Sequence, residues 1–207
     1  MSPDSSATIR KCKVSPNVNM IVLVALGANL PHRGRSPAQT VQAAIDAMPG
    51  EGLSVVRASR LYATPCFPAG AGPEYVNAAV RLHVGSGTGA RDILAALHRI
   101  EARFGRARAE RWGMRTLDLD LVAMGSLILP DPATAAHWRD LPPERQIAAT
   151  PDRLILPHPR LQDRAFVLVP LADVAPRWRH PGLGLTVAQM LHRIPAVDRA
   201  AVKPLGP

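Results

Sequence analysis

The amino-acid sequence predicts an α+β fold, with a ferredoxin-like βαββαβ sandwich at its core and C-terminal additions after it. Two observations lead to this prediction. Four short segments have the apolar and β-branched content of strands, and two longer segments have the apolar periodicity of helices. They follow one another as strand, helix, strand, strand, helix and strand, which is the order of a split βαβ unit.

The first three elements have clear boundaries in the sequence. The apolar run 20–26 is predicted to be a buried strand. Ser36 is a favoured N-cap and Pro37 suits the first helical position, so a helix is predicted over 36–48. The segment 53–61 is rich in Val, Ser and Arg, with the partial alternation typical of a strand.

The second half of the core contains two loops. Residues 63–73 are rich in Pro and Gly and are predicted to be a loop, and 75–84 are predicted to be the third strand. An amphipathic helix is predicted over 89–104. An arginine-rich loop is predicted at 105–115, and the fourth strand at 117–123.

The flanking segments complete the predicted domain organisation. Residues 1–19 are polar and are predicted to be a flexible N-terminal extension, whereas 20–207 are predicted to form a single domain. An irregular excursion, rich in Pro and Ala, is predicted at about 126–152. The ordered pattern resumes at 154–176, and a last short helix is predicted at 186–193.

The composition limits the class of protein. The formal net charge is +9, and nearly all basic residues are arginines, which suggests an anionic partner such as a nucleotide or nucleic acid, or else a compositional bias. Cys12 and Cys66 lie far apart, so neither a disulfide framework nor a zinc site is implied. The apolar run 20–28 is too short to span a bilayer. A cytoplasmic protein without a membrane segment is therefore expected.

Two carboxylates stand side by side in the fourth predicted strand, in the segment LDLDL. Because side chains i and i+2 of a strand share a face, Asp118 and Asp120 point one way and the intervening leucines the other. Two like charges at this spacing repel each other unless a cation lies between them, and Mg²⁺ prefers such oxygen ligands. The alternative is an ordinary amphipathic strand with a solvated acidic face.

Four arginines precede these carboxylates in one short segment: Arg106, Arg108, Arg111 and Arg115. Guanidinium groups beside a metal-binding carboxylate pair suit polyphosphate chemistry, which depends on positioning and charge neutralisation. The loop could instead be solvated, or bind RNA on a ferredoxin-like module. A different metal-dependent transferase or nuclease is a third possibility.

Several motifs in the same order resemble the 6-hydroxymethyl-7,8-dihydropterin pyrophosphokinase (HPPK) family. RAERWGMRTLDLDL resembles the family's RWGPRTLDLD, with Met114 in place of the usual proline. The other matching segments are ALGANL (25–30), SRLYATPCFPAGAGPEYVNAAV (59–80), LHRIEARFGRAR (97–108) and LPHPRLQDRAFVLVPLADVAP (156–176).

The resemblance implies an enzyme of folate biosynthesis. It would transfer the diphosphate of MgATP to the hydroxymethyl group of 6-hydroxymethyl-7,8-dihydropterin and release AMP, with the acceptor oxygen attacking the β-phosphorus. ATP is then a co-substrate, and two Mg²⁺ ions are expected. The expected partners are these small molecules, with no nucleic acid and no membrane, and the protein is expected to be a monomer.

The resemblance also assigns residues to the site. The metal ligands would be Asp118 and Asp120, and the catalytic groups would be these two with Arg106 and Arg115. The expected ATP-binding residues are His98, Glu101, Arg106, Arg108, Arg111, Arg115, Leu121, His158 and Arg164. The expected pterin-binding residues are Thr64, Cys66, Phe67, Tyr75, Asn77, Trp112, Asp118 and Phe166. Without the resemblance, core packing is the preferred interpretation of Tyr75 and Phe166, and a turn or strand-end amide is an equally good interpretation of Asn77.

Overall fold

A computed structural model describes residues 20–66, 72–105, 116–142, 144–145 and 149–206. The predicted extension 1–19 lies outside these residues, as does nearly all of the predicted arginine-rich loop.

The described residues form a six-stranded sheet with helices on both faces. The strands are β1 Val22–Ala28, β2 Ser54–Ala58, β3 Tyr62–Thr64, β4 Tyr75–His83, β5 Asp118–Met124 and β6 Lys203–Pro204. The α-helices are α1 Pro37–Ala47, α2 Ala90–Arg103, α3 Pro132–Asp140, α4 Ala165–Val174, α5 Val187–Arg193 and α6 Ala196–Ala200. Short 3₁₀ helices occur at Met48–Glu51 and Leu161–Asp163.

The sheet has the strand order expected of a ferredoxin-like core. β1 pairs antiparallel with both β5 and β4, and β2 pairs antiparallel with β4. The four core strands therefore lie in the order β5, β1, β4 and β2 across the sheet, as in a split βαβ unit. The predicted fold class is confirmed.

The first helix begins where the sequence predicts it to begin. The Ser36 hydroxyl accepts a hydrogen bond from the Gln39 backbone N–H, and the Gln39 side chain accepts one from the Ser36 N–H, which completes a capping box. Pro37 occupies the first turn, where its missing N–H costs nothing. Thr186 and Gln189 form the same motif at α5, which confirms the predicted last short helix.

Two hydrophobic cores lie on opposite faces of the sheet. In the first, α1 and α2 cover Val22, Val24 and Leu26 of β1 with residues such as Val41, Ile93, Leu97 and Ile100. In the second, α4 and α5 cover Leu23 of β1 and Ala79 of β4 with residues such as Leu168, Leu171, Val187 and Met190. The C-terminal additions are therefore a third layer, which buries the face that a two-layer sandwich leaves open.

Two predictions of irregular structure are wrong. Tyr62–Thr64 lies at the edge of a predicted loop, yet it forms β3, because it completes the free edge of β4 beyond the end of β2. The predicted excursion at 126–152 contains the helix α3, whose first turn is capped by the Asp131 side chain accepting from the Thr134 N–H. No helix in the described part of the chain is long and apolar enough to cross a membrane.

His180 lies buried in the turn between α4 and α5. Its Nδ1 accepts hydrogen bonds from the backbone N–H groups of Gly182 and Leu183, at 3.1 and 3.2 Å. Burial, helped by the positive charge of Arg139, lowers the pKa of His180 to about 4. Protonation would both bury a charge and replace this acceptor by a donor.

Acid is therefore expected to destabilise the fold through His180. Between pH 6.5 and 4 the unfolded chain takes up a proton that the folded chain does not, so the free energy of unfolding falls as the pH falls. His180→Asn keeps an acceptor but cannot titrate, and should reduce this fall by about 1–3 kcal/mol. Urea unfolding at pH 7 and pH 4.5 measures the difference. The exposed His192→Asn is the control, and equal pH dependence in both variants would contradict the assignment.

Candidate active site

Three adjacent strands place polar groups in one row across the sheet. Gly27 of β1 lies opposite Asn77 of β4 on one side and opposite Asp118 of β5 on the other. Ala25 lies opposite Asp120 in the same way. In-register neighbours share a face, so both aspartates and Asn77 lie on the face that α4 covers. Gly27 leaves a gap between the amide and the nearer carboxylate.

The predicted alternation of β5 is confirmed. Leu117, Leu119 and Leu121 are buried in the first core, whereas Asp118 and Asp120 are half-buried on the opposite face. Among the described residues no cluster of three or more His, Cys, Asp or Glu side chains could enclose a metal ion. Two half-buried carboxylates on one face nevertheless fit Mg²⁺, which keeps several waters and takes further oxygen ligands from phosphates.

The Glu101 side chain is hydrogen-bonded to the backbone of β5 between the two aspartates. This α2 residue is 2% exposed, and its Oε1 accepts a hydrogen bond of 2.7 Å from the Leu119 N–H. Leu119 lies between Asp118 and Asp120, so the bond fixes the strand at the carboxylate pair. His98 lies one helical turn earlier on α2 and is half-buried. Direct contact of Glu101 and His98 with a nucleotide stays a prediction.

His158 is held beside β5 by its own loop. Its backbone N–H donates to the Val122 carbonyl at 2.8 Å, and its Nδ1 accepts from the Arg160 N–H at 3.1 Å. Burial and the charges of Arg164 and Arg160 lower the pKa of His158 to about 3. The ring is therefore neutral at physiological pH. With Nδ1 acting as an acceptor, the proton resides on Nε2, which can donate.

Arg164 faces the two aspartates from the start of α4. Burial lowers the pKa of its guanidinium, and the charges of Asp120 and Asp118 oppose that shift. The guanidinium also lies over the ring of Phe166, 5.6 Å from its centroid, and this ring is 40% exposed. Phe166 is therefore available for contact with a ligand and is not a core residue.

Arg160 belongs to this group of residues, although it was not among the predicted site residues. Its charge is near enough to lower the pKa values of both His158 and Arg164. Its Nε is buried and has no hydrogen-bond partner in the described part of the chain. A signal was present, because Arg160 stands inside the quoted segment LPHPRLQDRAF.

On the side of the row away from Asp118, the site is formed by β3 and β4. The Asn77 Nδ2 donates to the Thr64 Oγ1 at 2.7 Å, and both residues are 6% exposed. Tyr75 lies opposite Thr64 and is half-buried, and Cys66 is a half-buried free thiol two residues beyond Thr64. Gly27 was not among the predicted site residues either, because its contribution to the site is the lack of a side chain.

The structure brings nine of the predicted site residues onto or near this face: Thr64, Cys66, Tyr75, Asn77, Asp118, Asp120, His158, Arg164 and Phe166. His98 and Glu101 lie on α2, on the opposite side of the sheet, where Glu101 contacts the backbone of β5. Leu121 itself points into the first core, so only its backbone can face a ligand at the strand. The predicted residues Phe67, Arg106, Arg108, Arg111, Trp112 and Arg115 lie outside the described residues, as does Met114.

Comparison with known proteins identifies the family. A family profile described as 7,8-dihydro-6-hydroxymethylpterin-pyrophosphokinase (HPPK) matches residues 23–176, which is more than half of the chain. The chain belongs to the HPPK family. Like the family's other members it is a pyrophosphokinase, a transferase that uses ATP as co-substrate at a step of folate biosynthesis.

Curated HPPK relatives are similar over most of their length. The 2-amino-4-hydroxy-6-hydroxymethyldihydropteridine pyrophosphokinase of Pseudomonas aeruginosa is 41% identical over 164 residues, covering 77% of this chain and 83% of that protein. The corresponding Synechocystis enzyme is 38% identical over 156 residues, covering 75% of this chain and 67% of that protein.

A solved structure supports the fold. The HPPK-DHPS of Plasmodium falciparum matches with a TM-score of 0.59 at 14% identity. The match covers 86% of this chain and 44% of that protein, so this chain spans less than half of it. At this identity the likeness shows that the two proteins share a fold.

Proposed function

We propose that this HPPK transfers the diphosphate of ATP to the hydroxymethyl group of 6-hydroxymethyl-7,8-dihydropterin, giving AMP and the pterin diphosphate. The observation that carries the proposal is the row Asn77, Gly27 and Asp118 across three strands. At one end of the row is an amide, which can pair with the edge of a heterocycle. At the other end is a carboxylate, which can hold a cation. The acceptor and the phosphates would then meet on one face of the sheet.

Asp118 and Asp120 would hold two Mg²⁺ ions together with the phosphates of ATP. The half-buried carboxylates repel each other, and bound cations relieve that repulsion. When bound, the ions neutralise charge on the phosphate oxygens and orient the transferred group. Glu101 would act on this site as a positioning residue through its bond to the Leu119 N–H.

Arg164 and His158 would contact the phosphates in different ways. Arg164 supplies a partly desolvated positive charge beside the aspartates, which an anion would neutralise. His158 would donate a neutral hydrogen bond from Nε2, because its Nδ1 is occupied by the Arg160 N–H. The proposed contacts of Arg106, Arg108, Arg111, Arg115 and Leu121 with ATP rest on the resemblance of the sequence motifs.

The pterin would lie between the rings of Tyr75 and Phe166, since a flat heterocycle is well served by two aromatic faces. The Thr64 hydroxyl orients the Asn77 amide, which leaves the amide oxygen to accept from the pterin edge. Cys66, Phe67 and Trp112 complete the proposed acceptor site on the basis of the family motifs. The hydroxymethyl oxygen would attack the β-phosphorus near Asp118.

We also propose that residues 20–207 work as a single domain and as a monomer in the cytoplasm, acting on small molecules without nucleic acid or membrane. The family's substrates account for the basic charge near the carboxylates without a nucleic-acid partner.

The proposed reaction is tested by measuring AMP release. AMP should form from ATP and Mg²⁺ only when the pterin alcohol is present, and pterin diphosphate should appear in equal amount. Removal of Mg²⁺ with EDTA should stop the reaction, and added Mg²⁺ should restore it. AMP release that is independent of the pterin, or tight salt-sensitive RNA binding without a pterin effect on thermal stability, would contradict the proposal.

A further inference from the structure

A compact polar cluster joins α4 to the strand β3, away from the aspartates. The Asp173 carboxylate accepts hydrogen bonds from the Tyr62 hydroxyl at 2.7 Å and from the Arg60 backbone N–H at 3.2 Å. It also pairs with the Arg60 guanidinium through both oxygens, at 3.1 and 3.2 Å. Residues more than a hundred positions apart in the sequence therefore meet at one carboxylate.

The buried member of this cluster is Tyr62. Its ring is 2% exposed and packs in the second core, whereas the Arg60 side chain is 65% exposed. Burial and the bond to Asp173 raise the pKa of Tyr62 to about 12, so the hydroxyl stays a donor. An exposed ion pair contributes little, but a buried hydroxyl that loses its acceptor is costly. The Tyr62–Asp173 bond is therefore the part of the cluster that holds the two elements together.

The two elements that this bond connects, β3 and α4, also carry residues that are proposed to bind the pterin. Tyr62 lies opposite Asn77, and two residues further along β3 Thr64 binds the Asn77 amide. On α4, Phe166 precedes Asp173 by seven residues, which is close to two full helical turns. Phe166 and Asp173 therefore lie along one stripe of the helix.

Apolar packing alone does not set the position of α4 along the sheet. The residues of α4 that face the second core are Ala, Val, Leu and Pro, whose contacts are not directional. β3 is only three residues long, so its own ladder of hydrogen bonds is short. A directional bond between the two elements fixes their spacing in a way that neither packing nor the ladder does.

We propose that the Tyr62–Asp173 hydrogen bond is a positioning contact for the pterin, which keeps Phe166 of α4 at the correct distance from Thr64 and Asn77. This inference rests on the proposed function, because it assumes that the pterin binds between these groups. Tyr62 and Asp173 are positioning residues that do not touch the substrate. The bond should affect the pterin more than ATP, because Asp118, Asp120 and His158 lie on β5 and its neighbouring loop. The proposed ATP ligand on α4, Arg164, also interacts with Asp120 and Asp118, which do not depend on this bond.

The test is steady-state kinetics of Tyr62→Phe in the full chain, with each substrate varied in turn. The KM for the pterin should rise about five- to twenty-fold, while the KM for ATP changes less than two-fold. Val187→Ala is the control for lost stability, because Val187 is fully buried in the same core at α5 and has no part in the cluster. It should lower the Tm and leave the pterin KM within two-fold of the wild-type value.

Two further variants keep the test decisive if Tyr62→Phe folds poorly. Asp173→Asn retains an acceptor without the charge and should raise the pterin KM by a smaller factor. Arg60→Ala removes only the exposed guanidinium of the cluster and should leave both KM values within two-fold of the wild-type values. A pterin KM that is unchanged in Tyr62→Phe or Asp173→Asn, or one that rises equally with the ATP KM, would overturn the inference. Wild-type protein without pterin-dependent AMP release would instead overturn the proposed function.

Discussion

Replacing either Asp118 or Asp120 by alanine is expected to abolish pterin-dependent AMP formation. Each substitution removes one of the two described carboxylates that can hold a cation beside the phosphates. Because phosphoryl transfer depends on charge neutralisation and positioning, we expect a loss in kcat/KM of at least about a thousand-fold, or roughly 4 kcal/mol. The measurement is AMP release at saturating Mg²⁺ and ATP.

The fold of these variants should survive. Both side chains are half-buried, and removing one relieves the repulsion between like charges while the other stays beside Arg164. These two effects oppose each other, so circular dichroism and Tm should stay close to those of the wild-type protein. Asp46→Asn is the matched control, since Asp46 is an exposed aspartate on α1 whose side chain accepts a hydrogen bond from Gln42. Full activity in the Asp118 or Asp120 variant would refute the metal assignment.

Adding a single methyl group at Gly27 is expected to impair binding of the pterin. A Cβ built at Gly27 lies 3.1 Å from the Asn77 Oδ1, so the amide must move. It cannot move freely, because its Nδ2 is bonded to Thr64 in a buried setting. We expect Gly27→Ala to raise the pterin KM by about ten- to a hundred-fold, which is about 1.4–2.8 kcal/mol of binding free energy.

Gly50→Ala is the control for any general effect of replacing a glycine by alanine. Gly50 has no atoms within 4 Å of a built Cβ and an ordinary backbone conformation, so Gly50→Ala should leave both KM values unchanged. Titration of the pterin against Gly27→Ala by isothermal calorimetry gives the affinity directly. Unchanged pterin binding in Gly27→Ala would show that the gap in the row is not used by the substrate.

The elements that the sequence predicts well have strong local determinants. α1 follows from Ser36 and Pro37, and β5 follows from the alternation of leucine and aspartate. β3 is three residues long and exists only because the edge of β4 is free beside it, so no local pattern could reveal it. The helix α3 had a local determinant in Asp131 and Pro132, which the Pro-rich composition of its surroundings obscured.

The candidate site divides in the same way. The carboxylates, His158 and Arg164 are charged or titratable and stand in recognisable motifs, so their place in the site could be predicted from the sequence. Gly27 and the Tyr62–Asp173 bond could not, because the first is a missing side chain and the second joins residues 111 positions apart. Both depend on strand register and helix placement, which a single sequence does not specify.

The helix α4 belongs to two parts of the molecule at once. It fills the second core with Leu168 and Leu171, and its first turn presents Arg164 and Phe166 to the site. Substrate binding and the folding of the C-terminal layer are therefore thermodynamically linked. A ligand held at a hundred times its Kd stabilises the state that binds it by about 2.7 kcal/mol. In a cell rich in ATP, that stabilisation would extend beyond the site to the packing of α4 on the second core.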